Sequence, residues 1–400
     1  MKETLIDSLQ DARRQTDLLF SLLEAGALYE RPIPERHRLI FYLGHIEAFD
    51  WNQIAVSAMG EKSFNSDFDR LFEAGIDPDS TNLPTDAPTD WPKQAEVCAY
   101  NRRVRDRIDE ILPDAPETVA EMALEHRLMH AETLAYLLQN LPYEQKRDPG
   151  RSQWVDTFET TNTPVEIAGG LATLGRDPEE GFGWDNEFPK HFVRVPAFCI
   201  DRYKVTNGEY LEFVKQGTKP PHFWTLRNGK WFLRGMFELV PLPLNAPVYV
   251  TRSEAEEYAI WKNKHLPTEA QYHRAAYGAR DGEHEYPWGD EEPAPGQGAF
   301  DFQSWDPVPV AATPTSDSHY GVAQLVGNGW EWTSTVFQPF PGFEPSQNYP
   351  GYSQNFFDGH HYVLKGASCR TARRLMRRSF RNWFRPDYPY VYSTFRLVEN

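Results

Sequence analysis

The chain has 400 residues, which is too long for one ordinary domain and suits two domains that each bury a core. Its formal net charge of -17 argues against nucleic acid and anionic membranes as partners. Three scattered cysteines, Cys98, Cys199 and Cys369, form no C-x-x-C pair, and this usage is typical of a reducing cytoplasm. No apolar run reaches the ~18 residues that a membrane-spanning helix needs. We therefore expect a cytoplasmic protein.

Apolar residues at helical spacing predict a helical N-terminal region that ends at about residue 145. A first helix ends before Gly26, a second covers residues 36 to about 59, and two more begin near residues 91 and 116. Asp90 is the expected cap of the third helix. Four such helices joined by polar and proline-bearing connections predict a four-helix bundle.

The connection from about residue 60 to 90 stands out because it is long and rich in Asp, Asn and Pro. Loops of this length are uncommon in compact domains unless they have a function.

The composition changes after the bundle. Residues 143 to about 163 are polar and acidic and predict a linker. Beyond them Gly, Pro, Trp and Tyr accumulate, and only residues 253–264 and 268–277 predict helices. We expect an α+β protein with a helical domain at residues 1–150 and a loop-rich mixed domain at 160–400.

The strongest chemical signal is a pair of histidines, His126 and His130, in the predicted fourth helix. The i, i+4 spacing places both imidazoles on one face of a helix. Two neutral imidazoles one turn apart can bind a single divalent metal. A pair of this kind also arises by chance, so a third ligand is needed to support a metal site.

His45 is the candidate for that third ligand. It lies in the second helix, and its neighbours one turn away, Phe41 and Phe49, direct it toward the interior of the bundle. A lone histidine on an apolar face is more often structural, but facing helices of a bundle commonly build a metal site together. Three imidazoles suit Zn²⁺, Cu²⁺ or Fe²⁺ about equally. Glu132 is better suited to orienting a histidine ring than to binding the metal.

Four segments of the C-terminal region resemble formylglycine-generating-enzyme-like domains, whose fold is similar to that of a C-type lectin. The segments are Gly327-Asn328-Gly329-Trp330-Glu331-Trp332-Thr333, Val205-Thr206-Asn207-Gly208-Glu209-Tyr210, Leu266-Pro267-Thr268-Glu269-Ala270 and Phe395-Arg396-Leu397.

The N-terminal region resembles a DinB-type four-helix bundle, and His126-x3-His130-x-Glu132 matches its iron motif in one family. That family is the ergothioneine-pathway sulfoxide synthases, or hercynine oxygenases. The resemblance implies an Fe(II) centre held by His45, His126 and His130. It also implies an O₂-dependent reaction that joins a thiol sulfur to the imidazole of hercynine and oxidises the sulfur to a sulfoxide.

The sequence departs from the better-known members at three positions. Met129 replaces the glutamine that precedes the second motif histidine and helps to hold hercynine. The run after the W-E-W segment lacks the family's catalytic tyrosine. Phe384 replaces an aspartate that helps to bind γ-glutamylcysteine.

Other residues are therefore expected to form the substrate site. Tyr100 resembles the bundle tyrosine of the family's second type and is our candidate catalytic phenol, although it also fits an apolar stripe. Arg103 resembles an arginine that binds the carboxylate of the thiol substrate. Asn382 and Trp383 match hercynine contacts, and the Trp383 ring suits a cation–π contact with the trimethylammonium group.

The basic run of residues 370–385 has two interpretations. Most of it is expected to form salt bridges with the acidic surface. One arginine, such as Arg378 or Arg381, is a candidate for bidentate binding of a substrate carboxylate.

Other functions remain open from sequence alone. They are a selenoneine-type synthase, an ovothiol-type enzyme acting on histidine, and a non-catalytic metal-binding sensor. A formylglycine-generating oxidase is disfavoured because that chemistry uses a cysteine pair, and beyond residue 200 the chain has only Cys369. The sulfur or selenium donor and the oligomeric state are also left open.

Overall fold

A computed structural model describes residues 4–73, 83–150, 160–280 and 282–399. The chain forms two compact units, Met1–Gly150 and Arg151–Asn400. The first is helical and the second combines short strands with helices, so the predicted α+β class is confirmed. No helix among the described residues is both long enough and apolar enough to cross a membrane.

The described part of the N-terminal unit contains five α-helices. They are α1 (Leu5–Ser21), α2 (Leu39–Asp50), α3 (Ser66–Leu71), α4 (Gln94–Ile111) and α5 (Glu117–Asn140). A π-helix, Trp51–Ala58, continues α2 without a break. The long helices pack through their apolar faces, and α2 is buried on nearly all sides, including its polar residues His45, Glu47 and Asp50.

Two features of this unit differ from the sequence-based prediction. The long connection contains a short helix, α3, which is anchored at its start by Asn65, whose side chain accepts from the Phe68 N–H at 3.2 Å. The prediction that Asp90 caps the third helix is wrong. Asp90 accepts instead from the Ala87 N–H at 2.7 Å and closes the 3₁₀ turn Pro88–Asp90, while α4 begins at Gln94.

The C-terminal unit has twelve short strands among its described residues. They are β1 (Pro164–Ile167), β2 (Gly170–Leu174), β3 (His191–Val195), β4 (Phe198–Asp201), β5 (Trp224–Arg227), β6 (Lys230–Arg234), β7 (Leu239–Pro241), β8 (Gly329–Val336), β9 (Tyr362–Ala367), β10 (Asn382–Phe384), β11 (Ser393–Thr394) and β12 (Val398–Glu399). They form sheets in the orders β10-β9-β8-β11, β1-β4-β12, β5-β6-β7 and β2-β3. All pairs are antiparallel except β11 and β8.

In the described part of this unit three α-helices accompany the strands, namely α6 (Asn207–Val214), α7 (Arg252–Trp261) and α8 (Glu269–Tyr277). Each begins with a capping box whose threonine accepts from a backbone N–H of the first turn, which stabilises the start of a short helix. The two predicted helices are present. The third, α6, was missed because eight residues are too few to show a clear helical period.

The family-like segments of this unit build its core. Glu331 on β8 is fully buried and accepts from Arg396 at 2.6 and 2.9 Å and from Lys204 at 2.6 Å. A buried carboxylate is tolerated only when it is paired in this way. These segments therefore stabilise the fold, and the Glu331 carboxylate is occupied by its two basic partners.

Candidate metal centre

His45, His126 and His130, the histidine cluster, come together inside the N-terminal unit. His45 lies on α2 and is buried, His126 is buried on α5, and His130 follows one turn later with partial exposure. The ligand atoms of all three lie within 4.8 Å of one another. Among the described residues this is the only group of three or more His, Cys, Asp or Glu side chains that meets so closely.

The Nε2 atoms converge. His45 Nε2 lies 3.1 Å from His130 Nε2, which lies 3.1 Å from His126 Nε2. His45 donates its Nδ1–H to the backbone oxygen of Phe72 at 2.6 Å, so its Nε2 carries the lone pair. A carbonyl that fixes the tautomer of a histidine in this way is the usual outer support of a metal ligand.

Aromatic rings hold two of the imidazoles in place. Phe49 stacks on His126 with 3.5 Å between ring centroids and 11° between planes. Phe41 stacks on His45 at 4.8 Å and 21°. Phe41 and Phe49 both belong to α2, one helical turn on either side of His45. Their stacking therefore restricts rotation of the His45 and His126 rings.

Burial keeps these imidazoles neutral. It lowers the pKa of His45 to about 4, although the hydrogen bond to Phe72 acts in the opposite direction. Burial, and then the other histidines, hold the pKa values of His126 and His130 well below their usual range. Neutral imidazole is the form that binds a metal ion, so the cluster is ready for one near pH 7.

The cluster fits a divalent transition metal. The Nε2 atoms of His45 and His126 each lie 3.1 Å from that of His130, so all three imidazoles could bind one divalent cation when their protons are on Nδ1. The Nδ1 atoms of His126 and His130 are buried and have no hydrogen-bond partner in the described part of the chain. Glu132 is not part of the cluster, and among the described residues the cluster consists of imidazoles alone.

A buried ion cluster ties the two ligand-bearing helices together. Arg127 on α5 donates to both oxygens of Glu47 at 3.0 and 2.8 Å and to Asp50 at 2.6 Å, and both acids lie on α2. Burial opposes ionisation of Glu47, but Arg127 and Arg105 outweigh it and lower its pKa to about 2. This cluster fixes the separation of α2 and α5 beside His126.

Tyr100 is buried on α4 and donates its hydroxyl to Asp69 of α3 at 2.8 Å. Burial and the hydrogen bond to Asp69 raise its pKa, so it stays a protonated phenol. Arg103 lies on the exposed side of α4, with its guanidinium 4.2 Å from the centre of the Phe64 ring. Both predicted residues therefore contact the long connection before α4.

The remaining predicted residues lie in the C-terminal unit. Trp383 is half-buried on β10 and stacks on Phe337 with 4.4 Å between centroids and 6° between planes. Asn382 accepts from the Trp383 N–H at 2.9 Å through its own side chain. One face of the indole is thus covered by a ring.

The two candidate arginines of the basic run both have acidic partners. Arg378 donates to Glu283 at 3.2 Å. Arg381 is buried and forms a bidentate pair with Glu269 at 3.0 and 3.2 Å. The salt-bridge interpretation of the run thus describes both residues.

Two residues near the cluster were missed from sequence. The Phe72 carbonyl supports His45, and Asp69 accepts from Tyr100. A backbone oxygen leaves no sequence signal, but the unusual length of the connection had marked the region that contains both.

Comparison with known proteins identifies the family of the chain. The family model described as "Sulfatase-modifying factor enzyme 1-like domain" matches residues 152–400. The hercynine oxygenase of Mycolicibacterium smegmatis is 31% identical in an alignment that covers 99% of this chain and 99% of that protein. The chain belongs to the hercynine oxygenase family. The resemblance expected from sequence is thereby confirmed.

Two further relatives extend the match. The hercynine oxygenase of Mycolicibacterium thermoresistibile is 33% identical, with 82% of this chain and 79% of that protein aligned. Ergothioneine biosynthesis protein 1 of Schizosaccharomyces pombe is 29% identical over 98% of this chain, which spans 55% of that longer protein.

Proposed function

We propose that this chain is an Fe(II)- and O₂-dependent sulfoxide synthase of ergothioneine biosynthesis. It would join the sulfur of a thiol, cysteine or γ-glutamylcysteine, to the imidazole of hercynine. The observation that carries the proposal is a buried cluster of three neutral imidazoles within a chain that aligns with a hercynine oxygenase over nearly its whole length.

His45, His126 and His130 would hold the metal. Bound there, Fe(II) supplies the redox chemistry that oxidation of a thiol sulfur by O₂ requires, which Zn²⁺ does not. Among the described residues the cluster offers three neutral imidazoles, so a metal held by them would have coordination positions left for substrates. The partial exposure of His130 supports access from solvent to these positions.

Tyr100 is proposed as the catalytic phenol. Burial and Asp69 raise its pKa, so the phenol keeps its proton, and it would have to leave Asp69 to donate that proton to a strongly basic reaction intermediate. Arg103 is proposed to bind the carboxylate of the thiol substrate. Its exposure leaves it accessible, and its packing on Phe64 restricts its motion.

In the C-terminal unit, Asn382 and Trp383 are proposed hercynine contacts. The half-buried indole has a geometry compatible with a cation–π contact to a trimethylammonium group. Arg378 remains a proposed carboxylate contact, for which it would have to exchange Glu283 for the substrate.

The sulfur donor is the open part of the proposal, because Phe384 stands where an aspartate of better-known members contacts γ-glutamylcysteine. We expect a thiol donor rather than a selenium donor, in a cytoplasmic setting consistent with three free cysteines.

The test is a donor competition. Protein loaded anaerobically with Fe(II) is mixed with hercynine, O₂ and either cysteine, γ-glutamylcysteine or a selenium donor, and mass spectrometry identifies the products. We expect a hercynine–thiol sulfoxide with one of the two thiols. Iron binding without a hercynine adduct from any donor would contradict the proposal and would favour a metal-binding sensor.

A further inference from the structure

The connection between α2 and α4 supplies two contacts that the sequence did not assign. Residues 63–72, the α3 segment, include the six-residue helix α3. A helix this short does not hold its shape by itself in water. Its position therefore depends on the tertiary contacts that anchor it to α2 and α4.

Asp69 provides the main polar anchor. It is buried on α3 and accepts from Tyr100 of α4 at 2.8 Å and from Ser63 at 2.5 Å. Its backbone oxygen accepts from the Asn52 side chain at 3.3 Å. The carboxylate thus fixes the α3 segment against α4, and its backbone fixes it against the π-helix that follows α2.

Phe72 provides the apolar anchor. It is fully buried, and its ring packs directly against the backbone of Gly44 on α2. A Cβ added at Gly44 would lie 2.5 Å from three ring atoms of Phe72, so the position has no room for a larger residue. The Phe72 carbonyl accepts from the ring of the next residue on α2, His45.

One helical segment therefore contacts both proposed functional groups of the bundle. Asp69 and Phe72 are three residues apart, and the Phe72 N–H donates to the Phe68 carbonyl at 3.0 Å, which continues the helical hydrogen bonding up to this position. A displacement of Asp69 must move the Phe72 carbonyl as well, because little free chain separates them.

We propose that Asp69 is a positioning residue with two roles. It holds the α3 segment in place, so that the Phe72 carbonyl keeps His45 in its Nδ1–H tautomer with Nε2 presented to the metal. Its carboxylate also orients the Tyr100 phenol. The inference rests on the proposed metal centre. On this inference, the long connection before α4 supports the proposed iron site.

The test uses the full-length protein freed of metal and then titrated with Co(II). Asp69→Ala is compared with Asp67→Ala, a matched substitution of an exposed aspartate on the same helix. Two quantities are measured, the Co(II) dissociation constant and the ring ¹⁵N chemical shifts of His45 in the metal-free protein. The shifts report the tautomer directly, and a purely structural role elsewhere in the bundle would not change them.

We expect Asp69→Ala to weaken Co(II) binding about tenfold or more, in the range found for outer supports of metal ligands. The His45 shifts should move toward a mixture of tautomers. Asp67→Ala should match the wild type, and Asp69→Asn should largely restore binding, because its amide oxygen still accepts from Tyr100. If Asp69→Ala does not fold, Gly44→Ala, which must displace Phe72, carries the same expectation.

Co(II) binding and His45 shifts that are unchanged in Asp69→Ala, or in Gly44→Ala where that variant is used, would overturn the inference. A wild-type protein that fails to bind Co(II) would instead contradict the proposed metal centre itself. The two failures are therefore distinguishable.

Discussion

Both units pair their buried charges, and they differ in the histidine cluster of the N-terminal unit. In the C-terminal unit the buried Glu331 is fully occupied by Arg396 and Lys204. In the N-terminal unit Arg127 is likewise paired with Glu47 and Asp50, but three imidazoles of this unit also converge, with their ligand atoms within 4.8 Å of one another. Paired charges of this kind fix the fold. Imidazole nitrogens that converge on one point can instead bind a metal ion.

The family-like motifs and the proposed metal ligands therefore lie in different units of the chain. The W-E-W segment and the closing Phe395-Arg396-Leu397 identify the C-terminal fold, yet their charged members neutralise each other within the core. The histidines are far less conspicuous in the sequence. Three predictions test this division of roles, ordered by the free energy that we expect each to change.

Arg396→Met should destabilise the C-terminal unit by about 3–5 kcal/mol, because it leaves the buried Glu331 with only Lys204 as a partner. Urea unfolding followed by tryptophan fluorescence measures the loss. Under native conditions the Co(II) affinity of the folded protein should stay unchanged. A loss of stability below about 1 kcal/mol would show that the motif charges are not structural.

His130→Ala should affect metal binding rather than stability. Co(II) binding should weaken more than about 100-fold, equivalent to about 2.7 kcal/mol. The unfolding free energy of the metal-free protein should change little, because the His130 Nδ1 has no partner to lose among the described residues. His284→Ala, which changes a histidine of the other unit, is the control. Equal Co(II) affinity in the two variants would contradict the placement of the metal site in the N-terminal unit.

Tyr100→Phe should still bind iron, though more weakly because Asp69 loses a hydrogen bond, and at saturating iron it should lower sulfoxide formation about tenfold or divert turnover toward oxidised thiol, because it removes the proposed proton donor. Asp69 loses one hydrogen bond in this variant and keeps the one from Ser63. Product ratios by mass spectrometry, with iron content measured in parallel, provide the test. Product ratios like those of the wild type would leave Tyr100 a packing residue.

Much of this arrangement could be predicted from the sequence because it depends on local periodicity. The i, i+4 spacing placed His126 and His130 on one face, and the phenylalanines flanking His45 indicated its inward direction. The α+β class followed from the change in composition after the bundle. Each of these signals is contained within a few consecutive residues.

The rest depended on tertiary contacts that no local pattern encodes. Helix α3 is too short to show a period, and its key contribution to His45 is a backbone oxygen. Asp90 is in a sequence context that favours a cap, but the chain makes a 3₁₀ turn there, and α4 begins later. The pairing of Arg378 and Arg381 with Glu283 and Glu269 joins residues about a hundred positions apart.

The most direct test of the account is the location of the metal. Crystals of the Fe(II)-loaded protein, measured at the iron absorption edge, should give one anomalous peak bounded by the Nε2 atoms of His45, His126 and His130. The same crystals of His130→Ala should lose it. A peak elsewhere in the chain, or none at these three nitrogens in protein that forms the sulfoxide, would contradict the central claim.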